Sequence, residues 1–348
     1  MCCNNDTRGI LIRKLGEWEM NKVRFGVIGT SAICERFLNA ASTHENFELI
    51  AVYSRKLETA KEFGEKQGAK LFFDNIENFA KCKDIDAVYI ASPNAFHAEQ
   101  AIVCLNNKKH VLCEKPMASN LKEVENMIKV AEKNKVLLME AMRLTVLPNF
   151  LSVKENIHKI GKIRRYFASY CQYSSRYDKY KEGIILNAFK KELSNGALMD
   201  IGVYCIHPMV SLFGKPNDVI SNGIFLDTGV DGQGTAIFTY DDFSSVIMYS
   251  KISDSKLPIE IQGEEGTIIS DGIHFDNVKI VYRDGREENI SICQRKDDMY
   301  YELDEFIKLI NNNEIDSNKN SHLNSLIAIE LMDKIRKEIG LEFPADLR

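Results

Sequence analysis

Residues 23–54 read VRFGVIGTSAICERFLNAASTHENFELIAVYS, and the order of residue types in that stretch decides the fold. VRFGVI (23–28) predicts a buried strand, 32–41 a helix, and FELIAVYS (47–54) the next strand. The alternation continues downstream. A helical pattern runs over 57–67, DAVYIAS (86–92) is a strand, and 95–106 a helix. HVLCEK (110–115) is a strand, 121–134 a helix, and KVLLMEA (135–141) closes the series. Repeated strand, helix and strand imply a doubly wound α/β domain on a parallel sheet, because parallel strands need crossover connections.

After Pro148 the texture changes. A helical stretch reaches about residue 159, and β-rich segments follow at 163–174, 234–242 and 244–253. Turn signals at Asp231-Gly232, Gly263 to Gly266 and Asp271-Gly272 separate them, as in hairpins of an antiparallel or mixed sheet. Helical patterns at 299–311 and 323–339 end the chain. The expected division is an unassigned tail (1–20), a dinucleotide-binding domain (21–142) and a second domain (143–348).

The chain has 348 residues, 45% hydrophobic and 27% charged, enough for two domains with their own cores. A formal charge of -5 without a long basic run argues against nucleic acid as partner. The nine cysteines show no zinc-ligand spacing and read as reduced thiols of a cytoplasmic protein, with no metal expected. No apolar run approaches the roughly 20 residues of a membrane helix, so no membrane association is expected.

The first strand runs into Gly29-Thr30-Ser31-Ala32-Ile33-Cys34, the turn that in a dinucleotide fold brings backbone up to a pyrophosphate. Of the three fingerprint glycines only Gly29 remains. Small residues in a strand-turn-helix context still favour cofactor binding over a merely tight turn. The second strand ends Tyr53-Ser54-Arg55-Lys56 where an NAD-specific fold places a carboxylate. A hydroxyl and two cations suit a 2′-phosphate, so NADP(H) is preferred, with NAD(H) also possible. Arg55 and Lys56 alternatively open a solvated helix.

Ser92-Pro93-Asn94 makes a turn able to pass under a nicotinamide ribose, and His97 reads as a structural capping group rather than a catalyst. Glu114-Lys115-Pro116 stands at the carboxyl end of a strand, where open α/β sheets place ligands. A lysine there is suited to bind a substrate hydroxyl and lower the pKa of a neighbouring acid.

GVIGTSAI, the Ser-Arg after the second strand, SPNAFHAEQA, CEKPMA and SNGALMDIGVYCIHP (194–208) together resemble the glucose-fructose oxidoreductase, inositol dehydrogenase and MocA family over nearly the whole chain from about Lys22. The resemblance implies a Rossmann domain followed by an α+β domain with a large open-faced mixed sheet. That sheet forms a homodimer or homotetramer interface in many relatives. It implies NADP or NAD as hydride carrier and a sugar, polyol or cyclic diol as substrate. The family's catalytic lysine maps to Lys115, its second-domain aspartate to Asp200 and its acid-base position to Tyr204. A cis peptide before Pro116 is also implied.

Asp200 and Tyr204, four apart, share a face if helical, and Lys115 beside Tyr204 would favour its phenolate. The chain departs from the family at Thr145, where an Arg is usual, and leaves open whether Arg143 takes its place. Residues 172–189 either line the substrate side, through Arg176, Tyr177 and Asn187, or form a solvated loop. His207 is either a pocket residue or a satisfied structural histidine. The expected activity is an NADP-preferring dehydrogenase acting on CH-OH groups of a small molecule. The alternative is a non-catalytic NAD(P)-binding regulator of the same fold.

Overall fold

A computed structural model describes residues 20–348, and the tail expected over 1–20 lies, but for Met20, outside the described residues. The first unit runs β1 (Val23–Ile28), α1 (Ala32–Ala41), β2 (Phe47–Tyr53), α2 (Leu57–Lys66), β3 (Leu71–Phe73) and α3 (Ile76–Ala80). It continues β4 (Ala87–Ile90), α4 (His97–Asn106), β5 (His110–Glu114), α5 (Leu121–Asn134) and β6 (Leu138–Ala141). The strands form one parallel sheet in the order β3-β2-β1-β4-β5-β6, reversing direction at β1. This is the Rossmann arrangement, whose ligand crevice lies at the carboxyl ends of β1 and β4.

The helices form where apolar residues recur at helical spacing. α1 buries Cys34, Phe37, Leu38 and Ala41, and α5 buries Val124, Met127, Ile128 and Ala131. Asn120 caps α5 by accepting from the Glu123 amide at 3.0 Å, and Lys135 ends it in the left-handed conformation. The sequence reading missed β3 and α3, which are only three and five residues long and too short to show a period. It also drew β6 three residues too long at its start.

The second unit holds α6 (Pro148–Asn156), β7 (Ile163–Cys171), α7 (Ser175–Lys181), α8 (Val203–Phe213), β8 (Asp218–Phe225), β9 (Asp231–Thr239) and β10 (Ser244–Ser250). β11 (Ile259–Gly263), β12 (Gly266–Ser270), β13 (Val278–Tyr282) and β14 (Glu287–Asn289) follow. Their sheet is mixed, in the order β14-β13-β12-β11-β7-β10-β9-β8, with only β7 and β10 parallel. The strand expected over 163–174 stops at Cys171, and the chain turns into α7. The apolar stretch 191–213 is long enough to cross a membrane, yet 78% of its most apolar window is buried inside the protein.

Two helices complete the chain, α9 (Met299–Asn311) and α10 (His322–Ile339). Although α9 follows the second sheet in sequence, it returns to pack on α1, and its Met299, Leu303, Phe306 and Ile307 join the core around Phe25, Phe37 and Tyr89. The Phe37 and Tyr89 rings stack at 3.7 Å there, and such pairs contribute about 0.5–1.5 kcal/mol beyond area burial. This return brings Asp298 beside Arg36 of α1 and Arg143.

Candidate active site

The β1-α1 turn depends on Gly29. Its φ is +120°, and a Cβ there would stand 2.8 Å from the Ala91 carbonyl oxygen and 3.0 Å from Cys34 Sγ. Only glycine fits this close approach of backbone to backbone. Cys34, at the third fingerprint position, is fully buried, and burial pushes its thiol up to about 11, so it packs as a small apolar group. Ser31 caps α1 without a side-chain hydrogen bond, and Ala32 begins the helix, so its first amides are left unpaired by that side chain.

That groove, of about 400 Å³, is lined by Gly29, Thr30, Ser31, Ser54, Arg55 and Pro93 among others. The cradle that a Cβ would fill, the exposed helix start and Arg55 at the end of β2 suit a dinucleotide phosphate. Asn187 also lines this groove, which corrects its expected place on the substrate side.

Ala91 and Ser92 are shared with a second cavity, of about 570 Å³, which contains Ile33, Asn94, His97, Glu114, Lys115 and Arg143 on the Rossmann side and Arg176, Asp200, Tyr204 and Lys251 on the other. His97 is buried, with one ring nitrogen 2.8 Å from the Ser92 carbonyl and the other 3.0 Å from that of Pro116. It ties the end of β4 to the turn after β5, where the Lys115-Pro116 peptide is cis. Asn94 Nδ2 donates to the Ser194 carbonyl at 2.9 Å and joins the two units.

Asp200 lies not in regular α-helix but in a wide π-helical turn, Leu198–Gly202, that leads into α8. Its carbonyl oxygen accepts from Lys115 Nζ at 2.7 Å, and its carboxylate meets the same ammonium at 3.2 Å through Oδ1 and Lys251 Nζ through Oδ2. Burial works to raise the Asp200 carboxyl, but the two ammoniums outweigh it and hold the group far below the carboxylate range. Burial likewise works to lower the Lys115 ammonium, and Tyr204, Asp200 and Glu114 outweigh it and raise it.

The turn itself is anchored from β9. Asp231 Oδ2 accepts from the Leu198 amide at 2.7 Å, and burial pushes this carboxyl up to about 6. Gly196, at φ +143°, leaves room for it, since a Cβ there would come within 2.0 Å of Asp231 Oδ1.

The hydroxyl of Tyr204 is met by Arg143, not by Lys115. Arg143 NH1 donates to it at 2.5 Å, while Lys115 Nζ stands over the ring face, 4.6 Å from its centroid. Arg143 is held in turn by Asp298 at 2.8 Å, and Asp298 also accepts from Arg36 at 2.6 Å. Burial raises the Tyr204 hydroxyl above its ordinary value, and Lys115 and Arg143 offset only part of that. Lys115 does favour the phenolate, as expected, but burial outweighs it and the net shift is upward. The Tyr204 oxygen accepts from Arg143, which leaves its proton free to be donated into the cavity.

Glu114 lies beneath Lys115, accepting from Tyr89 at 2.6 Å, and burial raises its carboxyl. His207 falls outside the cavity. It is buried with Nε2 3.0 Å from Glu140, which also accepts from Ser325, and so fits the structural alternative and not the pocket one. Tyr177 turns away as well and packs against Tyr180 and Phe189 in a small core of its own. Lys251 and Asp298 were not singled out from the sequence. Each follows or precedes an ordinary element with no local pattern to mark it, and their partners are remote in the chain. Among the described residues no three His, Cys, Asp or Glu side chains converge to hold a metal ion.

The family model described as an oxidoreductase family with an NAD-binding Rossmann fold matches residues 23–142, and the GFO/IDH/MocA C-terminal domain matches 150–269. The NADP(+)-dependent scyllo-inositol 2-dehydrogenase IolU of Bacillus subtilis is 55% identical over 325 residues, 93% of this chain and 99% of that protein. A trans-1,2-dihydrobenzene-1,2-diol dehydrogenase of Danio rerio is 28% identical, covering 93% and 99%. Among solved structures, the 3-ketoreductase KijD10 from Actinomadura kijaniata, in complex with NADP and TDP-benzene, superimposes with a TM-score of 0.79 at 26% identity, over 92% of this chain and 98% of that one.

Proposed function

This chain belongs to the GFO/IDH/MocA oxidoreductase family, and we propose that it is an NADP-preferring dehydrogenase of a cyclic polyol or diol, with Lys115, Asp200 and Tyr204 as its working side chains. The observation that carries the reading is the Tyr204 hydroxyl, held by Arg143 in the wall of a polar cavity that adjoins the dinucleotide groove. The 55% identity to a cyclic-polyol dehydrogenase supports the substrate class. Arg55 at the end of β2, where no carboxylate stands, supports NADP(H) over NAD(H).

The nicotinamide cofactor, when bound, supplies or takes the hydride. In the reducing direction Tyr204 gives its proton to the substrate oxygen as negative charge gathers there, and Arg143 stabilises the phenolate left behind. Asp200 fixes the Lys115 ammonium beside the same ring, so positive potential is in place before the proton moves. In the oxidising direction the phenolate is the base. Residues 21–142 then serve as the cofactor domain and 143–348 as the substrate and oligomerisation domain of a cytoplasmic homo-oligomer. Its contact surface is the outer sheet face, where Ile220 and Ile237 are paired and exposed.

The test is titration of the protein with NADPH and NADH, followed by cofactor absorbance with scyllo-inositol, other inositols, cyclic diols and aldoses. Tighter NADPH binding and turnover of a cyclic polyol are expected. Tight cofactor binding with no turnover across the panel would favour the regulator reading.

A further inference from the structure

Lys251 is fixed by its backbone. It directly follows β10, its amide donates to the Gly232 carbonyl at 2.9 Å, and its own carbonyl accepts from the Ser174 amide at 2.9 Å. The side chain is left with one course, past the Phe189 ring to the cavity wall, and is only 6% exposed.

An ammonium carries three donors. Lys115 spends two on Asp200 and turns toward the Tyr204 ring. Lys251 spends one, on Asp200 Oδ2, and its other two donors meet no acceptor among the described residues. Donors left unpaired in so buried a place are costly, and the open direction is the cavity. Charge points the same way. A second ammonium buried beside Asp200 adds desolvation cost, relieved by an electron-rich oxygen from a ligand.

We propose that Lys251 reads the substrate: with Asp200 it holds the hydroxyl on the carbon next to the reacting one, so the site selects vicinal diols and, in reduction, α-hydroxy ketones over isolated alcohols and ketones. The inference rests on the dehydrogenase reading above. A hydroxyl both donates and accepts, and Asp200 and Lys251 offer an acceptor and a donor side by side. A carboxylate has lone pairs to spare after two ammoniums. Because one carboxylate bridges Lys115 and Lys251, the two cations address neighbouring oxygens and not opposite sides of a ring. A ligand lacking the second hydroxyl leaves that pair unsatisfied, the situation in which polar sites discriminate most strongly.

The experiment compares kcat/KM with NADPH for 2-hydroxycyclohexanone and cyclohexanone, in the wild-type protein and in Lys251→Met. The wild type is expected to prefer the hydroxy ketone by about 100-fold or more, within the range by which hydrogen-bonding sites discriminate. The variant should lose at least about tenfold of that ratio, mainly through KM, with NADPH affinity reporting that the protein is folded. Should Lys251→Met not fold, the same ratio in Lys251→Gln decides. A ratio near one in the wild type, or one unchanged in the variant, overturns the role of Lys251 alone. Failure of the wild type to turn over either ketone, while NADPH binds and a cyclic polyol is oxidised, overturns this inference alone; failure with the ketones and the whole polyol panel overturns the dehydrogenase reading and this inference with it.

Discussion

Gly29, Ser31, Ser54 and Arg55 line the cofactor-side groove from a single strand-helix-strand unit, while Lys115, Arg143, Lys251 and the Asp200–Tyr204 run reach the adjoining cavity from four separate segments of the chain, with Asp298 behind Arg143. The groove needs little from its side chains. A glycine that permits close approach and an open helix end suit a phosphate there, and both are local properties. The cavity is held by mutual compensation: Asp200 between two ammoniums, Arg143 between Asp298 and a phenol. Its charges are tolerable when buried only because each has a partner from elsewhere in the fold. A change in the groove should therefore act in proportion to one contact, whereas a change in the cavity should act on several residues at once.

The sharpest way to break this contrast is at Tyr204 and Lys115. Tyr204→Phe and Lys115→Met should each lower turnover by roughly 10² to 10⁴, the range for a lost proton-transfer group, while NADPH binding stays close to wild type. The pH profile tells a proton donor from a packing residue. Burial keeps the Tyr204 phenol protonated through neutral pH, so reduction should hold steady there and fall only once the phenol ionises. Oxidation should rise along the same limb. Tyr204→Phe should remove that limb in both directions, and a variant keeping it would show that another group moves the proton.

Gly196→Ala sharpens the comparison from the structural side. It places a Cβ against Asp231 at a φ that suits glycine, and should cost roughly 1–3 kcal/mol in urea unfolding. Because the same contact anchors the turn bearing Asp200, kcat should fall too. A stability loss with kcat unchanged would mean that the Asp231 contact does not position the site.

The smallest effect is expected in the groove. Arg55→Ala should weaken NADPH about tenfold, the size of one charge-assisted contact, and NADH much less. Equal losses for both cofactors would remove Arg55 from phosphate recognition.

What the sequence by itself determined was whatever depends on neighbours in the chain. The alternation of apolar runs and helical patterns specified the parallel sheet, and the Gly29 turn and Ser54-Arg55 marked the groove, because strand, turn and helix starts are set within a few residues. Lys115, Asp200 and Tyr204 stand out only through the family resemblance of their motifs, not through periodicity. The tertiary structure alone decided which cation meets which oxygen. Arg143 takes the Tyr204 hydroxyl because the chain behind β6 and the return into α9 bring Asp298 beside it. Asp200 reaches Lys115 and Lys251 from a π-helical turn that no apolar period announces. His207, three residues past Tyr204, turns instead to Glu140, and Asn187 crosses to the cofactor groove. Ion pairs between distant segments carry no local signature, since a lysine at a strand end reads the same whether solvent or a buried carboxylate awaits it. Only the packing of the two sheets settles which it meets.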